Sequence, residues 1–264
     1  MKINIDGLSV NLFGEKTARA IVFVHGFPYD HLMWKAQYEA LSEKYFCVAY
    51  DIRGLGESEI GDGQYTMESY VDDLVKIIQH LELNKPILCG LSMGGYISLR
   101  ALEREPNLFG GAMLLDTHPY ADDNAGKLKR ANAIKKINTE GLAAYVESFV
   151  PTCFSKENAE KKPDFFLETL ARCRAQNPIG VKGAQIAMLS RTSTFENLEK
   201  IKIPVLVLVG ESDNLTPPGK MKDMAEKIPN ADFVVVPSAG HMTPIENPQF
   251  VTERMEKFLE ENFG

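Results

Sequence analysis

At 264 residues, 44% of them hydrophobic and 25% charged, the chain has the ordinary composition of a globular protein and can bury a substantial core. Its formal charge of -7 argues against nucleic-acid binding, which needs a concentrated basic surface, and no apolar run approaches the roughly 20 residues of a membrane helix. Asp6 follows Lys2 too closely for a signal-peptide apolar core, so a cytoplasmic location without membrane or nucleic-acid partners is expected.

In chain order, short apolar runs predict strands at 2–5 and 9–13, joined by turns around Gly7 and Gly14, then at 20–24 and 46–50 with a helical pattern at 32–42 between them. Helices at 67–81 and 96–104 flank a strand at 87–89, and another strand follows at 111–115. Strands at 205–209 and 233–236 complete a set of eight. Hairpin-like spacing at the start and alternating helices afterwards mean an α/β fold: an antiparallel beginning to a mostly parallel sheet flanked by helices. The connection from Asp116 to residue 205 is too long for one crossover. It carries helical patterns near 124–137, 142–149, 164–176 and 181–189, punctuated by Gly141, Pro151, Pro163 and Pro178. The expected organisation is a core of residues 1–118 and 191–264, with a helical cap of residues 119–190 inserted over the active-site face. Cys47, Cys89, Cys153 and Cys173 lack metal-ligand spacing, and Cys47 and Cys89 lie in apolar strand patterns, so buried thiols are expected rather than disulfides.

The chemistry concentrates in three places. Gly90-Leu91-Ser92-Met93-Gly94 follows an apolar run and precedes a helix, the context of a nucleophile elbow, in which a sharp strand-to-helix turn projects a serine out of the sheet. Glycines are needed on both sides because side chains there would strike neighbouring backbone. Ser92 is the candidate nucleophile; for the pentapeptide alone, a glycine-rich turn around an ordinary serine is the alternative. Glu211-Ser212-Asp213 follows the strand at 205–209, at the end where open α/β sheets present catalytic groups, and makes Asp213 the candidate acid. The last strand runs into Pro237-Ser238-Ala239-Gly240-His241, so His241 is the candidate base.

With these residues the chain resembles the α/β-hydrolase fold family, through Val24-His25-Gly26-Phe27-Pro28, Asp51-Ile52-Arg53-Gly54-Leu55-Gly56-Glu57-Ser58, the Ser92 elbow, Gly210-Glu211-Ser212-Asp213 and Gly240-His241. Within it the match is to small carboxylesterases, enol-lactonases and cofactor-independent perhydrolases. The resemblance implies acyl transfer through an acyl-enzyme, with His241 taking the Ser92 proton and Asp213 orienting the imidazole. It assigns the oxyanion hole to the backbone N–H groups of Phe27 and Met93. His25 is expected to hold the oxyanion loop, and Asp51 and Arg53 to brace the loop near the elbow. Asp116, also an acid after a strand, is the rival to Asp213. His31, His80 and His118 match no motif and read as surface or structural.

The resemblance implies hydrolysis of small carboxylic esters, with an enol-lactone or other lactone of an anionic substrate as the alternative. Phe27-Pro28 matches the pair seen in many perhydrolase relatives, which implies a peroxide-dependent side activity. Serine at the elbow disfavours dehalogenases and epoxide hydrolases, which use aspartate there. A ligand receptor on the same fold is the non-enzyme alternative. No cofactor and no metal are implied, because the triad supplies its own nucleophile. Residues 119–190 carry 11 Lys/Arg against 8 Asp/Glu, the remainder 18 against 28. Lys127, Lys129, Arg130, Lys135 and Lys136 read first as a solvated helix face; a basic lid drawing in an anion is the other reading. Arg130, Arg172 and Arg174 are candidate partners for a substrate carboxylate. Phe149, Phe154, Phe165, Phe166 and Met188 read as packing, a few of them facing the serine.

Overall fold

All eight predicted strands form: β1 (Lys2–Ile5), β2 (Leu8–Phe13), β3 (Ala20–Val24), β4 (Phe46–Tyr50), β5 (Ile87–Leu91), β6 (Gly111–Leu115), β7 (Val205–Gly210) and β8 (Ala231–Val236). The computed structural model describes residues 1–264 and joins the strands into one sheet in the order β1-β2-β4-β3-β5-β6-β7-β8. β1 with β2 and β2 with β4 pair antiparallel; every other pairing is parallel. Each residue of β3 to β7 is buried, so side chains on both faces are covered, and these strands are continuous runs of apolar residues and glycine rather than alternating patterns. β8, paired only to β7, is the half-exposed edge.

Three helices lie among the first six strands: α1 (Lys35–Leu41), α2 (Met67–His80) and α3 (Met93–Arg104). α2 shows how locally determined they are. Thr66 and Ser69 form a reciprocal capping box, and Met67, Tyr70, Val71, Leu74, Ile77 and Ile78 make a buried stripe at helical spacing. Between β6 and β7 come α4 (Asn124–Glu140), α5 (Leu142–Phe149), α6 (Lys156–Lys161), α7 (Asp164–Ala175) and α8 (Pro178–Ser190). α4 packs on α5 and α8, and α5 on α7. This group touches the rest of the chain closely: α8 packs on α2, Gln176 Oε1 accepts the Gly56 N–H at 2.8 Å, and Gly180 leaves no room for a Cβ against the Gly54 carbonyl.

The chain ends with α9 (Pro218–Lys227), α10 (Thr243–Glu246) and α11 (Pro248–Phe263), none of them among the sequence-predicted helices. α11 was legible, since Val251, Met255, Phe258 and Leu259 repeat at helical spacing; that face is buried, and the helix packs on α1 and β7. All four cysteines are free and buried. No helix is long and apolar enough to cross a membrane.

Candidate active site

Ser92 joins β5 to α3 at φ 52°, ψ -112°, a left-handed backbone that an L-residue adopts only under constraint. The constraint is visible: its N–H donates to the Leu115 carbonyl at 3.0 Å, and its carbonyl accepts from Tyr96 N–H and the Thr117 hydroxyl, both at 2.9 Å. A Cβ at Gly94 would collide with the Val24 carbonyl oxygen, and one at Gly90 with the Gly94 carbonyl and Ser98 Oγ. The flanking glycines are therefore required by backbone packed against backbone, as the motif implies.

Asp213 and His241 arrive on the loops after β7 and β8, and adjacent strand ends bring them together. His241 Nδ1 lies 2.8 Å from Asp213 Oδ2. Asp213 Oδ1 accepts from the Leu215 N–H at 2.8 Å and the Thr216 N–H at 3.0 Å, and Oδ2 also accepts the Thr216 hydroxyl. Burial alone would raise this carboxyl; the His241 charge and these hydrogen bonds outweigh it and hold the group down at about 2. For His241, burial favours the neutral ring, but Asp213, then Asp116 and Glu246, raise it above its ordinary 6.5. The His241 N–H donates to the Cys153 carbonyl at 2.9 Å. Glu246 ties the same loop to the α5–α6 connection, accepting Gly240 N–H at 2.7 Å, Ser155 N–H at 2.9 Å and Asn158 Nδ2 at 2.8 Å.

The rival groups are occupied elsewhere. Asp116 is fully buried, accepts Gly210 N–H at 2.9 Å and the Thr243 hydroxyl, and makes no hydrogen bond to the imidazole. Burial, then repulsion from Asp213, pushes it well above the usual carboxylate range. His25 is buried with Nδ1 2.9 Å from the Gly26 carbonyl and Nε2 accepting Ile52 N–H at 2.9 Å, so both ring nitrogens are spent on the loop they brace. Asp51 receives His31 N–H, His31 Nδ1 and Glu57 N–H, whereas Arg53 pairs with Asp73 rather than Asp51. Asp30, His31 and Asp51 are the only three-member group of ligand-type atoms close enough to share a metal ion. Their acceptors already serve internal N–H donors, as the Leu32 N–H on Asp30 illustrates.

A cavity of about 480 Å³ contains both Ser92 and His241 on its wall. Phe27, Phe149, Met188 and Leu215 give it an apolar side; Phe27 meets Phe149 edge-on at 5.8 Å, and Tyr145 stacks on Phe149 at 5.5 Å. α4 supplies a different side: Gly126, Lys129, Arg130, Ala133 and Lys136 recur at helical spacing along it. Part of the expected solvated face thus faces the cavity, while Lys127 and Lys135 point to solvent. Arg130 pairs with Asp122 and donates to Gln185 Oε1 at 3.2 Å; Gln185 donates to the Tyr145 hydroxyl at 2.8 Å. Arg172 and Arg174 pair with Glu168 and Glu147 and do not line it, and Phe154, Phe165 and Phe166 pack among themselves. His118 does line it, against the expectation of a surface or structural residue; position three after the end of β6 was the available signal.

The Phe27 N–H has no protein acceptor, and Met93 N–H opens α3, where first-turn amides lack intrahelical partners. Ser92 Oγ and His241 Nε2 share the wall without a direct hydrogen bond, a looseness common before substrate closes a site.

A family model described as the alpha/beta hydrolase fold matches residues 19–248. The chain belongs to the α/β-hydrolase fold family. Among solved members of this family, a thermophilic esterase from Thermogutta terrifontis, determined with malate bound, is 33% identical, with 97% of this chain and 94% of that one covered and a TM-score of 0.93. An enol-lactonase from Burkholderia xenovorans is 25% identical over 98% of this chain and 100% of its own, with a TM-score of 0.90. 3-Oxoadipate enol-lactonase 1 of Acinetobacter baylyi is 29% identical over 92% of this chain and 89% of its own.

Proposed function

We propose that the chain is a serine hydrolase cleaving carboxylic esters of small substrates through an acyl-enzyme, with Ser92 as nucleophile, His241 as general base and Asp213 as its orienting acid. The observation that carries this reading is the 2.8 Å pairing of His241 Nδ1 with Asp213 Oδ2 on a cavity whose wall also holds Ser92. That pairing keeps the proton on Nδ1 and leaves Nε2 to accept from Oγ. Attack forms a C–O bond to Ser92 and an oxyanion, which the free N–H groups of Phe27 and Met93 are suited to stabilise. His241 then returns the proton to the leaving alkoxide, and water attacks the acyl-enzyme by the same route. Residues 119–190 act as the cap, contributing α4 and Tyr145 to the cavity. A related esterase is consistent with this chemistry.

One observation favours a second reading, a lactonase acting on an anionic substrate. Lys129, Arg130 and Lys136 outnumber the single carboxylate of Asp122 on the cavity wall, and two similar proteins are enol-lactonases. Initial rates on p-nitrophenyl esters from acetate to decanoate and on an anionic lactone, with Ser92→Ala as control, test both. Ser92-dependent turnover of short neutral esters supports the first; selective lactone turnover, falling in Arg130→Met and at high salt, supports the second. Stoichiometric acylation without release would leave a receptor.

A further inference from the structure

His118 sits three residues beyond β6, on the cavity wall with Ser92, and takes no part in the mechanism above. Its tautomer follows from its neighbours. Tyr120 N–H, which can only donate, points at Nδ1 from 3.2 Å, so Nδ1 is the acceptor and the ring proton is on Nε2. The only protein partner for that Nε2–H is the Tyr96 hydroxyl at 3.5 Å, too long to satisfy it, and Tyr96 lies on the same cavity wall. Burial, helped by Arg191, Lys220 and Arg130, holds the ring down at about 3, so it carries no charge in ordinary buffers. Arg191 also lies 4.0 Å over the Tyr96 ring and shares the Asp122 carboxylate with Arg130, so the cations around His118 outnumber the carboxylate there and the region is electropositive. A partly negative oxygen is the group such a place receives.

We propose that His118 is a specificity residue whose Nε2–H donates to a second carbonyl oxygen of the substrate, so that the enzyme prefers esters carrying a ketone or equivalent carbonyl besides the scissile one. The inference rests on the ester-hydrolase reading and narrows its substrate class. An imidazole N–H is a neutral donor, so it selects an uncharged carbonyl as readily as an anion. This separates its contribution from that of the α4 cations. Neutral ketone esters therefore test it cleanly.

The test uses ethyl pentanoate, ethyl 4-oxopentanoate and 2-oxopropyl pentanoate, with kcat/KM for each from acid release in a pH-stat. The two ketone esters place the second oxygen on the acyl and on the alcohol side, and the preferred one reports which side His118 serves. Wild type should favour one of them over ethyl pentanoate by about fivefold to tenfold, the value of one neutral hydrogen bond. His118→Phe and His118→Met should bring that ratio close to one, mainly through KM, and His118→Gln, which keeps an N–H donor, should restore part of it. A wild type with no preference, or a preference that survives both apolar variants, would overturn the proposal. So would an equal slowing of all three esters, the mark of a merely structural residue. If wild type hydrolysed none of them, the ester-hydrolase reading itself would fall; Ser92-dependent turnover of ethyl pentanoate with no ketone preference sinks only the role of His118.

Discussion

Replacing Asp213 and Asp116 by asparagine, one at a time, separates the two acids on geometry alone. Asp213 Oδ1 holds the Leu215 and Thr216 N–H groups at 2.8 and 3.0 Å, so the asparagine oxygen stays there and its NH₂ takes the place of Oδ2. That puts a donor opposite Nδ1, 2.8 Å away in the parent, and drives the imidazole to the tautomer protonated on Nε2. Such a ring cannot take the Ser92 proton. The same change in the chymotrypsin-type triad lowers kcat about 10⁴-fold, or ~5.4 kcal/mol at the barrier, and a loss of that order is expected for Asp213→Asn. Asp116→Asn behaves differently. Its oxygen keeps the Gly210 N–H, its NH₂ donates to the Thr243 hydroxyl, and a buried acid that repels Asp213 disappears. Its kcat should stay within about threefold of wild type, under ~0.7 kcal/mol, and its melting temperature should not fall. Initial rates on a short ester with both variants and Ser92→Ala decide the matter. A 10⁴-fold loss in Asp116→Asn with Asp213→Asn near wild type would refute the assignment, and two near-normal variants would refute the triad.

Because His241 must be unprotonated to act as a base and its neighbours raise its proton affinity against burial, kcat/KM should rise with pH through a midpoint above 6.5; a profile from pH 5 to 9 with its acid limb at or below 6.5 contradicts this. Gly94→Ala places a methyl group against the Val24 carbonyl oxygen, with no flexible side chain to yield, and should destabilise the fold by about 3 kcal/mol or prevent folding; a melting curve like that of wild type would rule out so tight an elbow. Glu246→Ala strands the Gly240 and Ser155 N–H groups and should cost about 1–3 kcal/mol. Its kcat should fall with KM little changed, and hydrogen exchange should speed at Gly240 and Ser155; unchanged exchange would show that the His241 loop is held by other means.

Much of the core was legible because its determinants are local. A buried parallel strand needs an uninterrupted apolar run, β3 to β7 carry such runs, and all eight predicted strands form; α2 announced itself through a helical stripe. The elbow was legible for the same reason, since only glycine tolerates backbone at Cβ distance. α11 carries a readable stripe, whereas α9 and α10 begin at Pro218 and beside Pro244 with too few apolar positions to declare themselves. The roles of Thr216, Glu246, Asp122 and His118 were not legible. Each acts on a partner from another element, and nothing in residue type or spacing marks such pairs.

From the sequence alone came the α/β sheet, the order of its elements, and Ser92, Asp213 and His241 as the residues worth testing, because strand burial, turn sterics and side-chain chemistry are properties of short segments. Which acid faces the imidazole, which lysines of α4 look inward and what lines the space above Ser92 were decided only by tertiary structure. Asp116 and Asp213 both follow strands, and only the packing of the β7 and β8 loops directs one of them at His241 and closes the other behind Gly210 and Thr243. Direction at a strand end and exposure of a helix face depend on what packs against them, and that information is distributed over the whole chain.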